Sequence, residues 1–317
     1  MIQNPPMNTP ADRPSGGLVL VVGITGVLGR QVTDALLARG VAVRGLTRDP
    51  PRAAELAARG VEVVGGDLTD PASLVRACQG AERVLASAHG LLGRGRYRSE
   101  WVDDIGHRAL IAAAQAAGVR RFVYVSGYGA RADHPIDFFA TKHRVEQAVL
   151  ASGLDAVVLR PTAFMEQHVH LFNGKTVLDK GKAMLVGPGD KPRNFVAARD
   201  VAHFAVRALL EDPAPFRRLD IGSPGHYSNA EVAALYAREA GIAPRASHLP
   251  LALARALAVL ARPLHPGVAR VLRIMSTPPE AFDEHFHGAE ALEREHGVRL
   301  TRVEEFVRER VAEHRAP

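Results

Sequence analysis

From residue 18 onward the chain alternates between two rhythms. Short apolar runs rich in branched residues recur at Leu18–Val22, Val41–Thr47, Glu62–Gly65, Arg83–Ser87, Arg121–Ser126, Ala156–Arg160 and Arg218–Ile221. Between them lie stretches with helical spacing, which run up to Gly40, Gly60, Gly80, Gly118 and Gly153. Glycine takes the left-handed conformation that stops a helix, so the pattern reads as strands alternating with helices. Runs such as Phe122-Val123-Tyr124-Val125 are apolar on both faces, as expected of a parallel strand covered by helices on either side. The predicted fold is α/β, a doubly wound parallel sheet of Rossmann type, with a smaller, mostly helical C-terminal region on the substrate side.

The first unit of this pattern predicts a dinucleotide site. Its apolar strand runs into Gly23, Gly26 and Gly29, with a helical stretch from Gln31 to Arg39 directly behind. Gly23 allows a tight turn, Gly26 lets the backbone approach a pyrophosphate, and Gly29 lets the helix pack close to the strand. Thr25 and Leu28 lie within the same loop and complete the expected cradle. The helix N-terminus behind it offers unpaired N–H groups and the positive end of its dipole. The spacing is Gly-x-x-Gly-x-x-Gly, which differs from Gly-x-Gly-x-x-Gly, so the flanking strand and helix carry the reading.

In such sheets ligands bind beyond the carboxyl ends of the strands. There the sequence places Asp67, Ser87 with His89, Ser126 to Tyr128, and Pro161 to Phe164. The second strand ends in Thr47-Arg48-Asp49, which sets a guanidinium where the adenosine ribose of a dinucleotide would lie. A 2′-phosphate calls for a cation, whereas a 2′-hydroxyl is usually held by a carboxylate. Arg48 therefore points to NADP(H); a one-residue shift would present Asp49 and point to NAD(H).

The organisation expected along the 317 residues is a disordered, proline-rich tail over 1–16 and a dinucleotide-binding domain over 17–165, with returning segments near 195–224. Residues 166–194 and 225–317 are assigned to the substrate side and the C-terminal helical region. Past Phe164 the pattern loosens through Asn173-Gly174-Lys175 and Gly187-Pro188-Gly189-Asp190, before Phe195-Val196 and a helix that Asp200 would cap. Ser228 with Glu231 predicts a capping box. From Pro250 to Arg262 the two arginines, Arg255 and Arg262, share one helical face and leave a wide apolar surface. That segment suits a packed helix, a helix on a membrane surface, or a lid over a hydrophobic substrate.

Composition narrows the function classes. Hydrophobic residues at 47% and charged residues at 23% are those of an ordinary globular protein, and the single cysteine, Cys78, precludes an internal disulfide. No run of ~20 apolar residues suits a membrane span, and the first residues lack the apolar stretch of a secretory signal, so a cytoplasmic location is expected. The net charge of +6 comes from dispersed arginines without interleaved aromatics, so no nucleic-acid partner is expected. The pairs His168-x-His170 and His285-x-His287 lack zinc-site spacing, and neither a Gly-x-Ser-x-Gly elbow nor a lysine-bearing phosphate loop occurs.

Taken together, Gly23-x-x-Gly26-x-x-Gly29, Arg48, Gly66-Asp67-Leu68, Tyr124-Val125-Ser126-Gly127, Lys142 with Glu146, and Leu159-Arg160-Pro161-Thr162-Ala163-Phe164-Met165 resemble the NmrA-like branch of the atypical short-chain dehydrogenases/reductases. The likeness runs from residue 18 to about 310, more weakly through Asp200-Val201-Ala202 and the Phe282 to Val307 region. The resemblance implies that Asp67 and Leu68 border the adenine and Ser87 the adjoining ribose and phosphate. It further implies that Lys142 holds the nicotinamide ribose and that Pro161 borders the carboxamide; Ser126, in Val-Ser-Gly-Tyr-Gly without a placed base, reads as a cofactor or substrate contact.

One departure from the wider superfamily bears on chemistry. Four residues before Lys142, where the superfamily carries a tyrosine that protonates the substrate carbonyl, stands Phe138. A positioned acid contributes about 10²–10⁴-fold, so ordinary carbonyl chemistry should suffer while quinone reduction, which yields a weakly basic anion, should not. Tyr128, with Asp133 and His134 on the same loop, is the candidate substitute acid. The expected function is an NADP(H)-binding oxidoreductase of a small, hydrophobic, activated acceptor, with Lys142 and Tyr128 as catalytic candidates. The alternative is a non-catalytic NADP(H)-sensing regulator with a protein partner. Closure of the substrate pocket by Phe138, Phe139 and Phe164 would favour the regulator, and an open pocket the enzyme.

Overall fold

The computed structural model describes residues 17–243, 245–278 and 283–316; the tail expected over 1–16 and Phe282 lie outside the described residues. The chain begins with β1 (Val19–Val22), α1 (Val27–Leu37), β2 (Val43–Thr47), α2 (Ala54–Ala58), β3 (Glu62–Gly65), α3 (Pro71–Cys78) and β4 (Arg83–Ala86). It continues through α4 (His107–Ala116), β5 (Arg121–Val125), α5 (Asp137–Leu150) and β6 (Asp155–Pro161). After an excursion through β7 (Ala163–Phe164), α6 (Lys175–Lys180), β8 (Ala183–Val186) and β9 (Phe195–Val196), the chain returns with α7 (Ala198–Leu210) and β10 (Arg218–Ile221). The C-terminal part comprises α8 (Asn229–Ala240), β11 (Ala246–Leu249), α9 (Leu251–Ala261), α10 (Pro266–Ser276), α11 (Ala289–His296) and α12 (Val303–Arg315).

All seven apolar runs read from the sequence are strands of one parallel sheet, ordered β10-β6-β5-β4-β1-β2-β3. The order reverses between β1 and β4, and a crevice opens there at the carboxyl ends. The five helix-ending glycines all have positive φ. One apolar layer packs α1 and α7 against β1, β5 and β6; the opposite layer packs α3, α4 and α5 against the other face. A third cluster joins α6, β8, α8 and α12 beside the sheet.

The excursion is more ordered than its sequence suggests. Glu166–Gly174 winds as a π-helix into α6, although its histidines, asparagine and glycine are weak helix formers. Tertiary contacts impose the winding. Asn173 donates to the His168 carbonyl at 2.7 Å, and Gly174 lies so close to the Tyr236 ring that an added Cβ would stand 2.2 Å from it. Two short parallel pairs order the excursion: β7 with β9 closes it on itself, and β8 with β11 ties it to the C-terminal part.

Asp200 does not cap α7. The N-cap is Ala197, and the Glu166 carboxylate accepts from the Ala198 N–H at 3.0 Å in place of a local cap. Asp200 instead accepts from Thr301 N at 2.8 Å and Thr301 Oγ1 at 3.0 Å, tying α7 to the segment before α12. The capping box of Ser228 and Glu231 is present at α8.

Candidate dinucleotide and acceptor site

A single cavity of about 570 Å³ follows the carboxyl ends of the strands, from Arg48 and Asp67 at one end to Ile274 and Glu284 at the other. Gly23, Thr25, Gly26, Leu28, Gly29, Arg48, Asp67, Leu68, Ser87, Ser126, Tyr128, Lys142 and Pro161 all line it. They come from separate strand ends, from the start of α1 and, for Lys142, from α5, and the fold brings them to one groove.

The glycine loop is built to take a ligand. Gly23 has φ +94°, and a Cβ on Gly29 would stand 2.2 Å from the Gly23 carbonyl oxygen, so α1 sits closer to β1 than any side chain permits. At Gly26 the position of a Cβ meets only the Gly23 carbonyl, at 3.2 Å, and is otherwise open. The first turn of α1 has neither an acidic residue nor a side-chain cap, which leaves its N–H groups facing the groove for an anion. These residues fit a dinucleotide pyrophosphate. Ser87 donates its hydroxyl to the Val22 carbonyl at 3.0 Å, so the loop after β4 is fastened to β1 at the groove floor.

Arg48 lines the groove, and Asp49 is not among its lining residues. The Arg48 guanidinium lies 4.6 Å from the Tyr97 ring centroid. Asp67 accepts from Thr69 N at 2.8 Å and Thr69 Oγ1 at 2.9 Å, which fixes its carboxylate at the end of β3.

At the centre, Lys142 on α5 is 3% exposed. Its ammonium donates to the Val125 carbonyl at 3.1 Å and lies 3.9 Å from Asp103. Burial lowers its pKa, opposed by Asp103 and then Glu146. Lys142 forms no ion pair with Glu146 one helical turn away. Glu146 is instead held by Arg160 at 2.9 Å and 2.5 Å, and it accepts from the Ser126 hydroxyl. Asp103, which carries no sequence signal, is fully buried and accepts from Gly90 N at 3.0 Å and Ser99 Oγ at 2.5 Å. It thus couples the loop after β4 to Lys142.

Phe138 is 8% exposed, with the Lys142 ammonium 5.4 Å from its ring centroid and the edge of Phe139 packed against it. Phe138, Phe139 and Phe164 line the cavity without closing it. Tyr128 lines the cavity beside them. Its hydroxyl donates to the His285 carbonyl at 2.8 Å, and its ring packs edge-on against Phe286. Burial, then the charges of Asp220 and Asp283, raise its pKa. His134 is likewise turned inward, its Nδ1 accepting from Ile136 N at 3.0 Å.

The acceptor end is walled by α10, not by the apolar helix singled out from the sequence. Arg270 of α10 pairs with Asp137 at 3.2 Å and donates to the Leu91 carbonyl at 3.1 Å, which brings Ile274 to the cavity. α9 packs on α10, with Ala254 its only buried residue; it contributes nothing to the cavity lining. Among the described residues no helix is long and apolar enough to cross a membrane, and no cluster of three or more His, Cys, Asp or Glu is arranged to hold a metal ion.

Burial, with the Lys142 charge second, drives the nearby His107 imidazole from 6.5 to about 4. The unfolded chain therefore takes up the proton first as pH falls, and the stability held above the unfolded pKa is lost on the way down. The expected loss is about 3 kcal/mol between the two values. Urea unfolding should show a midpoint that drops from about pH 7 to about pH 5, and His107→Gln should reduce that dependence, leaving the share of His168, whose pKa burial lowers to about 3.

A parallel sheet with a glycine loop at its switch point, an uncapped helix N-terminus and a buried lysine at the groove defines an NAD(P)-binding Rossmann protein. The pattern of the NmrA-like family matches residues 15–307, and the chain belongs to that family. It is 32% identical over 224 residues to an NAD(P)H azoreductase of Xenophilus azovorans, covering 71% of this chain and 74% of that protein. It is 29% identical over 237 residues to a photosystem II assembly factor of Synechocystis sp., covering 75% and 72%. An NADPH-dependent quinone oxidoreductase of Escherichia coli, solved with NADPH, superposes with a TM-score of 0.69 at 25% identity, covering 91% of this chain and 98% of that one.

Proposed function

We propose that the protein is an NADPH-dependent oxidoreductase that reduces quinone-like or similarly activated small hydrophobic acceptors by hydride transfer. Phe138 carries this reading: it faces the cavity beside the Lys142 ammonium and has no proton to give. A bound nicotinamide would supply the hydride. A quinone receiving it becomes a hydroquinone anion that water protonates, whereas an alkoxide would need an acid worth about 10²–10⁴-fold. In this reading the Gly23–Gly29 loop and the α1 N-terminus hold the pyrophosphate, and Asp67, Leu68 and Ser87 border the adenosine. Lys142 holds the nicotinamide ribose, Ser126 and Pro161 border the nicotinamide, and Arg48 meets the 2′-phosphate. The azoreductase and quinone reductase to which the chain is similar support the choice of acceptor.

Phe138 also favours a second reading, a non-catalytic NADP(H)-sensing protein, to which the likeness to an assembly factor lends weight. The open cavity past Phe138 and Phe164 supports the enzyme. Mixing NADPH-loaded protein with a 1,4-naphthoquinone without oxygen separates the two. The enzyme forms one hydroquinone per NADPH far faster than the protein-free mixture, and the sensor leaves the background rate unchanged. Arg48→Ala should weaken NADPH binding roughly 10- to 100-fold and leave NADH binding nearly unchanged, because it removes charge-assisted bonds to a group that NADH lacks. Fluorescence titration of both cofactors reads this out; equal losses would show that Arg48 does not meet the 2′-phosphate.

A further inference from the structure

Beyond the main groove a side pocket of about 340 Å³ opens between Arg48, Gly66, Asp67, Asp70, Arg96 and Tyr97. Two cations flank one aromatic ring there, with the Arg48 guanidinium 4.6 Å and the Arg96 guanidinium 4.9 Å from the Tyr97 centroid. Arg96 is 67% exposed and its nearest carboxylate oxygen, on Asp67, stands 3.7 Å away, longer than a hydrogen bond. Asp67 is already engaged by Thr69, and Asp70 caps α3 through Ala72 N.

The turn that carries Arg96 and Tyr97 is held in place. Tyr97 N bonds to the Arg94 carbonyl at 3.1 Å, and Gly93 N to the Gly90 carbonyl at 2.9 Å. A Cβ on Gly93 would stand 1.7 Å from the Tyr97 carbonyl oxygen, so the two sides of the loop are in contact. Buried Asp103 fastens both ends, through Gly90 N and Ser99 Oγ. Both guanidiniums thus line one side pocket beside the same ring, and a dianion that enters it meets two positive charges.

We propose that Arg96, with Tyr97 as spacer, is the second cation for an adenosine 2′-phosphate, and that the Arg48–Tyr97–Arg96 stack sets the preference for NADPH over NADH. This rests on the reading that a dinucleotide occupies the groove with its adenosine at Arg48. The loop after β4 therefore supplies half of the cofactor discrimination, and its Gly90 anchor places that half under the control of Asp103.

The test is calorimetric titration of the full chain with NADPH, NADH, adenosine 2′,5′-bisphosphate and adenosine 5′-monophosphate, for the wild type, Arg96→Ala, Arg48→Ala and the double variant. Arg96→Ala should weaken NADPH and the bisphosphate roughly 10- to 100-fold, with NADH and the monophosphate nearly unchanged. The double variant should bind NADPH no more tightly than NADH. If Arg48→Ala discriminates between the cofactors and Arg96→Ala does not, the two-cation stack is overturned while the cofactor reading stands. If the wild type itself shows no preference for NADPH, both fall.

Discussion

Phe138→Tyr should confer reduction of simple aldehydes on the protein, raising kcat/KM roughly 10²-fold or more while quinone reduction stays nearly constant. The substitution adds one hydroxyl to a ring whose centroid lies 5.4 Å from the Lys142 ammonium, at the wall of the acceptor cavity. A phenol beside a buried cation gives up its proton more readily, because the phenolate is stabilised by the opposite charge. Aldehydes need that proton as the alkoxide forms, and quinones do not. Steady-state assays of both acceptor classes on the two proteins check it. A variant that binds cofactor and reduces quinones but gains nothing on aldehydes would mean that acid supply is not what limits carbonyl chemistry here.

Lys142→Met should lower quinone turnover roughly 10²-fold and weaken NADPH binding as well. It should also destabilise the fold. Asp103 is fully buried and lies 3.9 Å from the Lys142 ammonium, so removing the cation leaves an uncompensated carboxylate, which costs about 3–5 kcal/mol. Asp103→Asn in the same chain removes that charge and keeps an oxygen to accept from Gly90 N. The double variant should therefore recover thermal stability without recovering turnover. Recovery of both would show that Lys142 serves the fold alone.

What was legible in the sequence follows the range of the forces involved. The inner strands of the main sheet, such as β1, β4 and β5, are buried along their whole length and appear as apolar runs, and α1 to α5 each stop at a glycine with positive φ. The glycine loop and Arg48 were legible for the same reason: their positions are set by the strand ends that precede them. β7 and β9 are two residues long and carry no period, and the π-helical Glu166–Gly174 is held by Tyr236 and Asn229 from a distant helix.

The site divides in the same way. Lys142 and Phe138 were legible through the resemblance to the short-chain dehydrogenases/reductases, but their electrostatic setting was not. The partner of Lys142 is Asp103, which sits on a π-helical turn before α4, while the Glu146 one turn away is taken by Arg160 and Ser126. Tyr128 stood on the right loop, yet its hydroxyl is claimed by the carbonyl of His285, far along the chain. Arg96 and Tyr97 lie in a glycine-rich connection with no helical or strand pattern, and only the folded loop brings them over Arg48.

The proposed chemistry of this site is hydride transfer to acceptors that need no acid from the protein. The measurement that tests it most directly is NADPH consumption by the purified protein across quinones, enals and aldehydes, beside a titration of NADPH binding on the same sample. Turnover confined to quinones and similarly activated acceptors, with binding in the same preparation, is the predicted result. Tight binding with no turnover of any acceptor, or aldehyde reduction as fast as quinone reduction, would contradict it.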